Sequence, residues 1–176
     1  MVEFIDDDLD VARKKLKDLE SLIKLDNQNN DFTAYENLND QKAVFEIRKA
    51  GLNILMSMKG DRKGVAFIED CAVTLENLAD YTERLRDVFR KYNTEGLFYA
   101  HASVGTLHVR PILNAKSEQD IKNMKAIAKE AFAMVKEYKG SHSGEHGDGI
   151  VRSEFHEMMF GKKIIIFFKH FIYNCP

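Results

Sequence analysis

Leu97-Phe98-Tyr99-Ala100-His101-Ala102-Ser103-Val104-Gly105-Thr106-Leu107-His108-Val109-Arg110-Pro111-Ile112-Leu113 reads as two short strands, Leu97 to Ala102 and Thr106 to Leu113, joined by a tight turn. With the turn centred between Val104 and Gly105, His101 and His108 stand directly opposite each other. Opposed residues share a face, with Cβ atoms ~4.5–5.5 Å apart. Two imidazoles at that separation can share one ion at ~2.0–2.1 Å per bond.

The elements on either side of this hairpin follow from periodicity. Val2 to Ile5 reads as a short buried strand, with Asp6 or Asp7 capping the next helix. Leu9, Ala12, Leu16, Leu19 and Ile23 recur at helical spacing. Asp26 to Asn30 is a polar turn and Phe32 to Tyr35 a weak strand. A second helix spans Asp40 to Met58, with Val44, Ile47, Leu52, Leu55 and Met56 inward. Gly60 to Gly64 is a loop and Val65 to Ile68 a strand, closed by the carboxylates Glu69 and Asp70. Thr74 caps a third helix carrying Leu78, Tyr81, Leu85, Val88, Phe89 and Tyr92. After the hairpin, Ser117 with Asp120 resembles a capping box. It opens a helix with Ile121, Met124, Ala128, Ala131, Val135 and Tyr138 on one side. A short helix, Ile150 to Phe160, follows a glycine-rich turn. This order predicts an α+β domain, with helices packed on one face of a mostly antiparallel sheet.

Residues 162–176 (Lys162 to Pro176) break the pattern, with neither helical period nor alternation. Their Lys, Ile, Phe, Asn and Tyr content is that of AT-rich codons and suggests translation out of frame; a genuine buried strand is the other reading. The domain is therefore assigned to residues 1–161 and an atypical tail to 162–176.

The glycine-rich turn, Ser143-Gly144-Glu145-His146-Gly147-Asp148-Gly149, is a poor way to build a core and a good way to build a site. Glu145 can add a carboxylate to His101 and His108. Two His and one carboxylate leave open positions, as in a catalytic rather than a structural ion. The other reading is two surface or hydrogen-bonded histidines. His146, beside the ion, would have a depressed proton affinity and could act as a general base, or it could simply orient the loop. Arg48, in a helix interrupted by Gly51, could pair bidentately with a carboxylate. Lys63, Arg110 and Arg152 are similar anion partners, and Lys63 joins Arg48 as a substrate-binding residue; most such side chains are merely solvated.

Composition bounds the rest. The chain has 176 residues, 44% hydrophobic and 31% charged, with net charge -2. That balance suits one globular domain and gives no sign of nucleic-acid or membrane-surface binding. Cys71 and Cys175 make neither a disulfide framework nor a CxxC site, which points to a reducing, cytoplasmic compartment. The acidic start, Met1 to Asp8, does not read as a signal peptide, and no apolar run has the length of a membrane span.

Arg48-Lys49-Ala50-Gly51, Phe67 to Val73, His101 to Pro111 and Ser143 to Phe155 together resemble the C-terminal domain of FAD-linked oxidases. These belong to the vanillyl-alcohol-oxidase superfamily, in the branch of glycolate oxidase, D-lactate dehydrogenase and D-2-hydroxyglutarate dehydrogenase. The resemblance implies a ferredoxin-like α+β cap over FAD. It implies a divalent metal (zinc, manganese or iron) on His101, His108 and Glu145, with His146 as base and Arg48 on the carboxylate of a 2-hydroxy acid. It further implies a flavin-binding domain and, in one subgroup, an iron–sulfur electron-transfer partner. The family's Gly-Asp-Gly-Asn between the histidines is Ser103-Val104-Gly105-Thr106 here, and Ile68 stands where hydroxyglutarate-related members carry Lys, so the substrate is not transferred. The flavin-binding half is missing, so the chain reads as a fragment. Two alternatives stay open: a flavin-independent metal hydrolase, and a non-catalytic remnant or subunit docking on a separate flavoprotein.

Overall fold

The computed structural model describes residues 1–25 and 32–174, in two compact units, residues 1–51 and 52–176. In the first, helix α1 (Leu9–Leu25) starts after Asp8, whose carboxylate accepts the Asp10 N–H at 2.9 Å, an N-cap later than Asp6 or Asp7. Ala12, Leu16, Leu19 and Ile23 form the expected half-buried row, while Leu9 is exposed. Val2 to Ile5 is not a strand; Val2 and Ile5 are exposed, and the described residues of this unit hold no strand that could pair with it. The segment 32–35 is irregular for the same reason, and Asp26 to Asn30 lie outside the described residues. Helix α2 (Leu38–Met56) begins two residues before Asp40, where Asn37 Oδ1 accepts the Asn39 N–H at 2.7 Å. It runs through Gly51 unbroken. Val44 is half-buried but Ile47 and Met56 are exposed; the side chains of Leu52 and Leu55 lie outside the description.

The second unit is organised by one long strand, β4. Strands β1 (Lys63–Gly64) and β2 (Cys71–Ala72) lie along one edge of β4 (Thr106–Leu113), and β3 (Gly96–His101) fills the other, all antiparallel. The predicted strand at Val65 to Ile68 is instead the loop between β1 and β2. Phe67 and Ile68 are both buried, which an extended pair pointing to opposite faces could not achieve against a one-sided core. A single antiparallel bridge joins Ala72 to Ser141. The order Ser141, β2, β4, β3 with two intervening helices is a ferredoxin-like split βαβ whose last strand has shrunk to one residue.

Those helices are α3 (Leu75–Lys91) and α4 (Glu118–Glu137). Tyr81, Leu85, Val88 and Phe89 of α3 and Ile127, Ala128, Ala131, Phe132 and Val135 of α4 are buried, with Leu107, Val109 and Leu113 of β4 in the same core. Thr74 is the N-cap of α3, although its side chain caps no backbone N–H and instead accepts from the Asn77 side-chain amide at 3.0 Å. Ser117 accepts the Asp120 N–H at 3.3 Å, but the Asp120 carboxylate turns to the Asn114 N–H, so the capping box closes on one side only. Alternation on β4 sends its odd-numbered core residues toward the helices and leaves His108 on the opposite face. The site stands on that face.

Beyond α4, the expected single helix is α5 (Gly149–Arg152), a short 3₁₀ turn and α6 (His156–Phe160). The tail is neither aperiodic nor a buried strand: it is helix α7 (Lys162–Asn174). Phe167 and Phe171, one turn apart, stack with ring centroids 6.4 Å apart, a helical i,i+4 contact. Its Ile164, Ile166, Phe168 and Ile172 are exposed.

Candidate metal centre

The hairpin turn is a four-residue loop: a 3₁₀ turn over Ala102–Val104, then Gly105 at φ 71°. A Cβ at Gly105 would lie 1.9 Å from the Val73 carbonyl oxygen, so only glycine fits. This loop pairs His101 with Thr106 and His108 with Tyr99, not His101 with His108. The change of partner is two residues, which preserves the face. The histidines are diagonal neighbours, with ring centroids 5.1 Å apart and planes nearly perpendicular.

Glu145 reaches them from the glycine-rich loop. Its Oε1 lies 3.1 Å from His108 Nε2 and 3.4 Å from His101 Nε2. His146 Nε2 is also 3.4 Å from that oxygen, so the turn is tight enough for adjacent side chains to converge. Its ring stacks on His108 at 5.0 Å. Donor atoms of His101, His108 and Glu145 all lie within 4.8 Å of one another, as do those of an overlapping set, Glu69, His108 and His146.

His108 is the buried member. Burial pushes its pKa down, against the pull of Glu69, with His146, Glu145 and His101 acting less strongly. That favours the neutral imidazole a metal requires. Its Nδ1 is buried without a hydrogen bond, 3.7 Å from Glu69 Oε1, which Arg110 holds at 3.0 Å. A carboxylate behind a ligating imidazole is the usual support of a metal site. The Nε2 atoms of two imidazoles and one carboxylate oxygen fit a borderline divalent ion.

The sequence did not reveal what holds the loop. Asp70, fully buried at φ 77°, accepts hydrogen bonds from Ser143 Oγ at 2.8 Å, the Glu145 N–H at 3.0 Å and the His146 N–H at 2.8 Å. Its own carbonyl accepts the Gly144 N–H at 2.7 Å. Burial pushes its pKa up, but the His146 N–H, the Ser143 hydroxyl and the Glu145 N–H outweigh it and hold the carboxyl below its usual range. Asp tolerates the left-handed conformation better than most residues. The one signal was Asp70 at a strand end; its partners lie about seventy residues on, and no local pattern links them.

Arg152 fixes the other end of the loop and is not available to an anionic substrate. It is buried; its guanidinium donates to the carbonyls of His142 at 2.8 Å, Glu69 and Gly147. It also faces Asp70 Oδ2 at 3.8 Å and Asp148 Oδ1 at 3.7 Å. Arg110 is engaged by Glu69. Lys63, opposite Leu113 on β1, donates to the Met58 carbonyl and stands outside the histidine cluster. Arg48 is half-buried on α2, in the first unit.

Residues 1–169 match the family model of FAD linked oxidases, C-terminal domain, a span that runs into α7. D-2-hydroxyglutarate dehydrogenase of Haemophilus influenzae is 36% identical over 117 residues, 66% of this chain and 11% of the relative. The enzyme of the same name from Escherichia coli is 33% identical over 121 residues, 69% of this chain and 12% of the relative. Glycolate oxidase subunit GlcD of Bacillus subtilis is 25% identical over 121 residues, 69% of this chain and 25% of the relative. The chain thus spans only about a ninth to a quarter of the length of these relatives. With a match over nearly its whole length, the chain belongs to the FAD linked oxidases, as a C-terminal domain of that family.

Proposed function

We propose that this chain is the substrate- and metal-binding domain of an FAD-dependent dehydrogenase acting on a 2-hydroxy acid, of the class that includes D-2-hydroxyglutarate, D-lactate and glycolate. The observation that carries the proposal is the single carboxylate oxygen of Glu145 set between the Nε2 atoms of His101 and His108. His101, His108 and Glu145 would hold a divalent ion (zinc, manganese or iron), which would supply Lewis-acid polarisation of the 2-hydroxyl; FAD, held by a separate flavin-binding domain, would supply the hydride acceptor. His146, half-exposed beside the same carboxylate, accepts the hydroxyl proton. Arg48, through its planar fork, is the cation we assign to the substrate carboxylate; Lys63, which donates to the Met58 carbonyl, is the second candidate. Asp70 positions Glu145 and His146 through their backbone N–H groups. An iron–sulfur protein as electron acceptor and a cytoplasmic setting complete the proposal; no described helix is long and apolar enough to cross a membrane.

The test is metal analysis joined to turnover. His108→Ala should remove one equivalent of bound metal from the purified chain. In an enzyme completed with a flavin-binding domain it should abolish oxidation of D-2-hydroxyglutarate, D-lactate and glycolate alike. His146→Ala should keep the metal and lower kcat by ~10²–10⁴-fold. Unchanged metal content in His108→Ala would overturn the proposal, and metal loss in His146→Ala would make that residue a ligand rather than the base.

A further inference from the structure

A second group of metal-capable side chains flanks the same loop and plays no part in the chemistry above. His142 lies just before the loop, Asp148 at its end and His156 at the start of α6. One donor atom from each lies within 4.8 Å of the others. His142 Nδ1 is 2.7 Å from Asp148 Oδ1, and His156 Nε2 is 2.9 Å from Asp148 Oδ2. The two imidazoles stack with centroids 5.7 Å apart.

An ordinary network would have Asp148 accept one N–H from each ring. The His156 contact has hydrogen-bond geometry. The His142 contact does not: both its ring nitrogens and Asp148 Oδ1 are buried with no hydrogen-bond partner, although His142 is only 1% exposed. Leaving three buried polar atoms unmatched is costly. An ion held at ~2.0–2.2 Å from each donor would give the His142 nitrogen and Asp148 Oδ1 the partner they lack, the two moving slightly apart to admit it. Phe132 and Phe160 wall the site, with ring centroids 5.2 Å and 5.5 Å from His142. They give it the apolar shell that shields a bound ion. The neighbouring cation, Arg152, is spread over four backbone carbonyls and two carboxylates.

We propose that His142, Asp148 and His156 form a second divalent transition-metal site, separate from the His101, His108 and Glu145 centre. Two imidazoles and one carboxylate suit zinc or a similar borderline ion, with the remaining positions open to water. Such an ion would staple the strand-end segment at His142, the loop end at Asp148 and α6 at His156. Asp70 holds the loop from the other side. The site does not depend on the dehydrogenase proposal.

The test loads the metal-free chain with excess zinc, removes free ion by gel filtration and counts zinc per chain. Wild type should hold two equivalents. His156→Ala and His156→Gln should each hold one, that one should vanish when His101→Ala is added, and His170→Ala should still hold two. In the His101→Ala background, whose first centre is broken, zinc should raise the thermal midpoint. One equivalent lost in His101→Ala but kept in His156→Ala would overturn the second site and leave the first standing. One equivalent with the opposite dependence would do the reverse. Absence of any zinc-dependent midpoint shift in His101→Ala would also overturn the second site, whether or not the His156 variants fold.

Discussion

The two histidine–carboxylate clusters flank one glycine-rich loop, yet they are assembled differently. His101, His108 and Glu145 form an open cluster: two side chains from one face of a hairpin, one from a loop residue about half exposed, and Glu69 with Arg110 behind. His142, Asp148 and His156 are walled by phenylalanines, with a nearly inaccessible imidazole at the centre. The first cluster is open to solvent at Glu145, and the second is closed around His142. Between them, Asp70 and Arg152 bind the loop backbone from beneath. Both clusters hang on one loop whose backbone is held by two buried charges, Asp70 at Glu145 and His146 and Arg152 at His142 and Gly147.

The largest effect should come from removing that support. Asp70→Ala leaves the loop N–H groups of Glu145 and His146 unmatched and Arg152 without one of its carboxylates. Breaking a buried, hydrogen-bonded charge costs about 3–5 kcal/mol, so urea denaturation should show a loss of that order. Zinc content should fall at both clusters. If only the first cluster loses zinc, Asp70 does not support the loop as a whole.

Acid should reach the same support without mutation. The folded-state pKa of Asp70 lies below its usual value, so the unfolded chain takes up a proton at higher pH than the folded one. Its contribution is therefore complete above about pH 4 and is lost as pH falls from there through the folded value. Thermal midpoints followed downward from about pH 5 should drop in wild type. In Asp70→Asn the drop should be shallower from a lower starting point; parallel curves would place the acid sensitivity elsewhere.

Gly147 separates the clusters at φ 76° with open space where a Cβ would stand. Gly147→Ala should cost only backbone strain, about 1–2 kcal/mol, read from the denaturation midpoint. Gly105→Ala, with a similar φ but a carbonyl 1.9 Å from the new Cβ, should cost more. Equal losses would show that the hairpin yields at the Val73 contact. The smallest effect is expected in α7. Ile172→Ser replaces an exposed apolar side chain and should change stability by less than about 0.5 kcal/mol.

Periodicity carried the sequence reading where a segment packs on one side only. The α3 and α4 stripes emerged because each helix has one buried face, and the row on α1 because one face of it is half-buried. It failed where tertiary pairing decides. Val2 to Ile5 has strand composition but no partner strand among the described residues of its unit. Val65 to Ile68 bends away to bury two successive side chains. The tail, judged aperiodic, is helical, and its apolar residues stay exposed.

The sequence by itself determined that His101 and His108 share a face, because strand alternation survives any two-residue change of register. It also determined that Glu145 and His146 sit in a turn, because glycine at three of the seven positions from Ser143 to Gly149 admits little else. Only the tertiary structure decided the register, through the four-residue loop that Gly105 closes against the Val73 carbonyl. Only it brought Glu145 to the hairpin and set Asp70 and Arg152 beneath the loop. Those contacts join residues far apart in the chain, and their energy comes from hydrogen bonds that pair buried charges with backbone dipoles, which no local pattern of residue types encodes.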